Sequence, residues 1–150
     1  ALEAQQILED DFNVSTDVWS STSFKNLHND GLDADRWNRL HPGQPKRVPY
    51  VTECLKDEKG VFVVASDYVK AMPESIARWF PKAPVTLGTD GFGRSDTRKA
   101  LRWHFEVDRH YVAVVALKAL AEDGTIPSKT VKDAIKKYGL DPEKPNPLYA

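Results

Sequence analysis

Residues 85–105, VTLGTDGFGRSDTRKALRWHF, run from a β-type stretch (Val85, Thr86, Leu87) through a glycine-rich loop into a helix-forming segment. Strand, tight loop and helix in that order belong to an open α/β sheet, where loops at the carboxyl ends of strands meet ligands and partner surfaces. The loop Gly88-Thr89-Asp90-Gly91-Phe92-Gly93-Arg94-Ser95 nearly fits a phosphate-binding GxxxxGK[ST], with Arg94 standing where lysine belongs. A guanidinium fork does not replace a compact ammonium, and Asp90 brings a carboxylate to the place of the anion. No later apolar strand ends in an Asp to serve a metal, because the chain from Asp108 onward reads as helical. Two readings follow. Gly88–Ser95 is either a small phosphate- or nucleotide-binding loop, or a tight turn whose glycines supply positive φ and close packing, and the physics favours the turn.

Outward from this stretch, GVFVVAS (60–66) is a β-branched and aromatic run between Gly60 and Ser66. Its unbroken apolarity predicts burial on both faces, as in a parallel sheet. Pro73 opens a helix, PESIARWF, with Ile76, Trp79 and Phe80 inward. Near the start, Leu2, Ile7, Leu8 and Phe12 have helical spacing over residues 1–11 or so, and Val14–Ser20 reads as a strand around Val18 and Trp19. Thr22 or Ser23 caps a helix through Leu27 that ends near Gly31, and DADRWNRL (33–40) adds a short helix packing Trp37 and Leu40. HPGQPKRVP, with three prolines and a glycine, is a surface connection, after which Pro49 starts a short helix to Leu55.

Downstream, Ser95 or Asp96 caps a helix from Thr97 to Phe105, and Asp108 caps HYVAVVALKALAED, apolar enough to lie at the centre of the core. Gly124 ends it; Ser128 caps a last helix with Val131, Ile135 and Tyr138 on one face, and Gly139 stops that one. The tail DPEKPNPLYA, from about residue 140, is proline-rich and reads as extended. Three strands alternating with helices make one α/β domain over 1–150.

Composition narrows the function classes. A content of 41% hydrophobic and 29% charged residues over 150 positions is that of a soluble globular domain. Lys plus Arg (21) nearly balance Asp plus Glu (22), and both signs are scattered, so neither nucleic acid nor anionic lipid finds an electrostatic footprint. No apolar stretch reaches the ~20 residues of a membrane span, and no segment has the basic start and apolar core of a secretory signal. Cys54 is alone and forms no internal disulfide, in keeping with a cytoplasmic compartment. The first helix starts at Ala1 without methionine or a capping side chain, so the expectation is a piece cut from a longer polypeptide.

GTDGFGRSDTRKALRWHFEVD resembles the C-terminal domain of the homodimeric, thiamine-diphosphate-dependent pyruvate dehydrogenases, the decarboxylating first component of the bacterial pyruvate dehydrogenase complex. DVWSSTSFKNL, DADRWNRLHP, RVPYV and VKDAIKKYGLDPEKPNP follow in the family's order, so the resemblance covers essentially the whole chain. It implies a transketolase-like third domain, a mostly parallel sheet flanked by helices, here lacking its first strand. It also implies a parent that decarboxylates pyruvate on thiamine diphosphate and passes the acetyl group to lipoyl groups. Thiamine diphosphate and Mg²⁺ are expected in the parent's other domains, and no catalytic, cofactor-binding or metal residue of the family maps onto this sequence. The implied partners are the remaining domains, the homodimer partner and the dihydrolipoyl acetyltransferase core.

The residues singled out are therefore interface candidates. Asp90, Phe92, Arg94, Asp96 and Arg98 form a candidate interface loop, in which Arg94, Asp96 and Arg98 pair to pin the loop against a neighbouring domain or else decorate a solvated helix start. His28, His41, His104 and His110 are expected to be ordinary hydrogen-bonding histidines, and a lone cysteine argues against zinc. Ser66-Asp67 lacks the glycines of a nucleophile elbow and reads as a cap or turn. Trp37, Trp79 and Trp103 are expected to anchor the core or a domain interface.

Overall fold

In the computed structural model, which describes residues 1–150, helices and two short strands alternate along the chain. Helix α1 (Leu2–Phe12) ends where Asn13 turns left-handed (φ 53°); Asn13 N–H then donates to the Glu9 carbonyl and Val14 N–H to that of Leu8. Helix α2 (Phe24–Leu40) starts at Ser23, whose hydroxyl accepts from Asn26 N–H. Helix α3 (Tyr50–Leu55) follows Pro49, and strand β1 (Val63–Ala65) leads to α4 (Ala71–Glu74) and a 3₁₀ turn (Ala77–Trp79). Strand β2 (Val85–Leu87), α5 (Arg98–His104), α6 (Arg109–Glu122) and α7 (Ser128–Lys137) complete the order.

The two strands are parallel, with Val63 opposite Val85, Val64 opposite Thr86 and Ala65 opposite Leu87. A parallel pair requires a crossover, which α4 and the 3₁₀ turn supply. Helix α6 lies against both strands, with α1 and α7 against it in turn. Its Leu117 is fully buried and its Val112, Ala113, Val114 and Ala116 join Ala4 and Leu8 of α1 and Val131 and Ala134 of α7 in the main core. Burying one such leucine contributes roughly 1.5–3 kcal/mol. Asp108 fixes the start of α6 as the sequence predicts, its carboxylate accepting from His110 N–H at 2.8 Å and Tyr111 N–H at 3.0 Å. A second cluster, Val51, Leu55, Ile76 and Trp79, sits on the other side of β1.

Several local expectations need correction. Val14–Ser20 is not a strand: the sheet has two strands, and the Thr16 carbonyl accepts from the Gln5 side chain at 2.5 Å instead of from a ladder amide. The segment alternates half-buried and exposed from Phe12 to Asp17, as a strand does. A side-chain pattern cannot by itself provide a neighbour for the ladder. Gly31 does not end α2, which runs unbroken to Leu40. A Cβ on Gly31 would lie 2.5 Å from Trp79 Cε2, so the glycine is the seat of an indole ring and not a terminator.

Strand β1 is packed on both sides, Phe62 before it touching the second cluster and Val63 the main one; yet Val63 and Val64 are only half-buried and Ala65 is exposed. Pro73 lies within α4, not at its first position. Thr97, not Ser95 or Asp96, caps α5, accepting from Ala100 N–H at 3.2 Å. Ser128 is the first residue of α7 behind Pro127 and makes no side-chain cap. Trp79 is buried, Leu40 and Trp103 are exposed, and Trp37 is half-buried between the His41 ring and the Arg47 guanidinium. The tail is not extended, being folded into turns at Asp141 and Asn146.

Candidate functional site

Both strands empty at the same edge, and the loops that follow them are stitched together. Ser66 N–H donates to the Leu87 carbonyl at 3.0 Å and Thr89 N–H to the Tyr68 carbonyl at 2.9 Å. Thr89 Oγ1 donates to the Asp67 carbonyl at 3.1 Å, and Asp90 Oδ2 accepts from Lys70 N–H at 3.1 Å. Ser66 Oγ accepts from Tyr68 N–H at 3.1 Å, making Ser66-Asp67 a turn. The approach is so close that a Cβ on Gly88 would stand 2.5 Å from the Tyr68 carbonyl oxygen and 2.9 Å from Lys70 N. Glycine here serves close backbone approach.

That stitching engages Thr89 N–H and the Asp90 carboxylate of the loop. The Asp90 carboxylate fills the loop, and a Cβ on Gly91 (φ 116°) would overlap the Pro147 carbonyl oxygen of the tail. At the start of α5, Asp96 Oδ1 accepts from Thr97 N–H at 2.6 Å and Thr97 accepts from Ala100 N–H. A carboxylate and a carbonyl face the place of the anion, and Ala100 N–H of the first turn is already engaged. Gly88–Ser95 is built as a turn.

The edge presents large apolar side chains outward among its charged ones. Phe92 is 73% exposed and Tyr68 65% exposed, with Val69 and Met72 also exposed on the loop and helix after β1. Of the candidate charges, Arg94 and Arg98 form no ion pair with Asp96: the salt bridges of the chain lie elsewhere. Arg94 Nη1 instead comes within 3.5 Å of His104 Nδ1. Asp96 accepts from Thr97 N–H without capping the helix, and Arg98 is exposed at the head of α5.

No motif or spacing in the sequence points to the cluster beneath. Lys144, between two prolines of the tail, has a side chain only 8% exposed and an ammonium 3.0 Å from Glu106. It donates to the His104 carbonyl at 2.8 Å and lies over the Trp103 and Tyr111 rings, 5.2 Å and 5.9 Å from their centroids. His104 Nε2 and the Tyr111 hydroxyl are buried without hydrogen-bond partners. Burial, with Arg94 and then Lys144 adding repulsion, holds the His104 pKa below its ordinary value. Burial, then the Glu106, Asp108 and Asp141 carboxylates, push the Tyr111 hydroxyl up to about 12. Of the other histidines, His28 Nδ1 bonds to the Ser75 carbonyl oxygen at 2.8 Å, His41 Nδ1 to that of Trp37 at 2.9 Å, and His110 Nε2 accepts from Arg109 Nε at 3.4 Å.

No group of three or more His, Cys, Asp or Glu side chains is placed to hold an ion. A hollow of about 270 Å³, lined by Val61, Phe62, Val85 and Lys82 among others, lies at the opposite edge, and its Lys82 is already paired with Asp123 at 2.8 Å.

Residues 1–108 match the family model described as transketolase-like TK C-terminal domain. The chain belongs to that family. This transketolase-like domain is 54% identical over 147 residues to the pyruvate dehydrogenase E1 component of Pseudomonas aeruginosa, covering 97% of this chain and 17% of that protein. It is 48% identical over 149 residues to the protein of the same name from Escherichia coli, at 99% and 17% coverage. The Cupriavidus necator counterpart is 48% identical over 147 residues, at 98% and 16%. The chain thus spans about a sixth of the length of the curated relatives it matches. No helix of the transketolase-like domain is long and apolar enough to cross a membrane.

Proposed function

We propose that this chain is the C-terminal domain of a pyruvate dehydrogenase (acetyl-transferring), a cytoplasmic enzyme that decarboxylates pyruvate on thiamine diphosphate and acetylates lipoyl groups. Its own role is structural, the loops at the carboxyl edge of the sheet forming an interface with the parent's other domains, its homodimer partner or the dihydrolipoyl acetyltransferase core. Thiamine diphosphate and Mg²⁺ belong to the other domains of that parent. The observation that carries the reading is the pairing of rigidly stitched loops with outward apolar side chains, Phe92 and Tyr68 above all. A surface held still before contact loses little entropy on docking, and an exposed aromatic in such a setting is the usual anchor of an interface. Asp90 keeps the loop in place, and Arg94, Asp96 and Arg98 form its polar rim.

Two measurements test this. The 150-residue chain supplied with thiamine diphosphate, Mg²⁺ and pyruvate releases no CO₂, and turnover above background would overthrow the assignment of the chemistry to other domains. In the full-length enzyme, Phe92→Asp lowers the thermal midpoint and promotes dissociation. An enzyme indifferent to that charge would leave the loop without an interface role.

A further inference from the structure

The C-terminal tail is held at two points that lie on different elements. Its first turn is closed by Glu143 N–H on Asp141 Oδ1 at 2.9 Å and its second by Leu148 N–H on Asn146 Oδ1 at 2.9 Å. Between them Lys144 plunges into the junction of α5 and α6, where Glu106, the His104 carbonyl and two aromatic faces receive it. Glu106 itself sits at φ 61°, a left-handed conformation that a non-glycine residue adopts at a cost. Three residues beyond Lys144, the Pro147 carbonyl lies on Gly91, against a backbone that could not carry a Cβ there. His104 joins the two anchor points, since its carbonyl takes Lys144 while its ring lies beside Arg94 of the loop.

We infer that the tail is a strap, that Lys144 is its latch, and that the strap orders the glycine loop by lying across Gly91. A lysine ammonium withdrawn from water is costly unless paired and bonded, so Lys144 sits in this junction only while Glu106 and the His104 carbonyl hold it. Undoing those bonds leaves the tail two short turns and a run of prolines, too little apolar contact to stay down. Gly91 then loses its roof, and the loop after β2 keeps only the stitching to the loop after β1. Loop and tail therefore open as one local unit, while α6 stays closed. This holds whether or not the same loop docks a partner.

The test is amide hydrogen exchange on the full-length polypeptide that carries these residues, comparing the wild type with Lys144→Met. The diagnostic amides are Lys70 and Thr89, which are bonded across the loops, and Leu148 and Tyr149 in the tail. Losing one charge-assisted hydrogen bond from the latch should speed exchange about tenfold at both sets together, with α6 unchanged. If the tail loosens while Lys70 and Thr89 keep their protection, the tail is no strap. If neither set responds, Lys144 is no latch. Should Lys144→Met disturb α6 itself, Glu106→Gln, which removes the ion pair and keeps the shape, gives the same paired readout and the same two ways to fail.

Discussion

Gly31→Ala sets two physical effects against each other, and the structure says which prevails. In the middle of α2 alanine is favoured over glycine by about 1 kcal/mol, because glycine gives up more backbone freedom on entering a helix. The new Cβ, however, would fall 2.5 Å from Trp79 Cε2 and 2.5 Å from Cζ2. The indole cannot slide away without loss. It is 7% exposed within the second core cluster, its Nε1–H donates to Asp35 Oδ2 at 3.2 Å, and its own carbonyl accepts from Thr52 Oγ1 at 2.7 Å. Its ring also meets the His28 ring edge-on at 5.7 Å.

Forcing extra volume into a packed site costs about 1–3 kcal/mol, and a strained or broken bond to Asp35 adds up to about 1 kcal/mol at this half-exposed position. Against the helix gain of about 1 kcal/mol, Gly31→Ala should lower stability by up to about 3 kcal/mol, read as a lower urea midpoint at unchanged slope by circular dichroism. A double-mutant cycle isolates the cause. In a Trp79→Leu background the ring is gone, and Gly31→Ala should become favourable by about 1 kcal/mol. A stabilising Gly31→Ala in the wild-type background, or equal effects in both, would refute the claim that this glycine exists to seat the indole.

Two further outcomes are expected. Because the folded-state pKa of His104 lies below its ordinary value of 6.5, the neutral ring favours the folded chain. Its contribution is complete above that value and is lost as pH falls below it toward the lowered one, so urea midpoints should decline as pH falls below 6.5, and His104→Gln should flatten that slope. Asp11 and Asp123, whose pKa values lie below 3.8, act only in stronger acid and leave the window clear. Separately, the 150-residue chain alone should self-associate in sedimentation velocity, since it displays Phe92 at 73%, Trp19 at 59% and Tyr149 at 79% exposure around a sheet of only two strands with open edges; a monomer at every concentration would count against exposed docking surface.

Where the controlling interaction is local, the sequence told the truth. Asp108 caps α6 because a carboxylate reaches the amides two and three residues on, and the apolar run behind it had only the core to go to. Val85–Leu87 followed by glycines is a strand and a turn on any α/β background. The larger failures turn on a partner far away in sequence, or on its absence. Gly31 looks like a terminator until Trp79 is folded onto it. Val14–Ser20 has the alternation of a strand but pairs with none, because a strand is defined by its neighbour. The cap of α5 slipped from Ser95 or Asp96 to Thr97 since all three can cap and the loop's path chooses among them.

The loop itself shows why a motif and a site differ. A phosphate cradle and a stitched turn can share nearly the same letters, glycines at both ends and a polar residue between, because each needs backbone in close approach. They part over what fills the concavity. Asp90 turns its carboxylate onto Lys70 N–H, and the tail sets a carbonyl on Gly91; both are acceptors, and an anion finds acceptors hostile. With Asp90 bonded inward, Phe92 and Tyr68 are the large apolar side chains that meet the outside, beside the exposed charges of Arg94, Asp96 and Arg98. Chemistry on a small ligand needs unsatisfied donors and acceptors aimed at one point, whereas docking needs the reverse: polar groups satisfied at home and a firm apolar face. The carboxyl edge of this sheet meets the second requirement and not the first. The lysine responsible for that firmness stands among prolines, where sequence alone suggests nothing but a loose end.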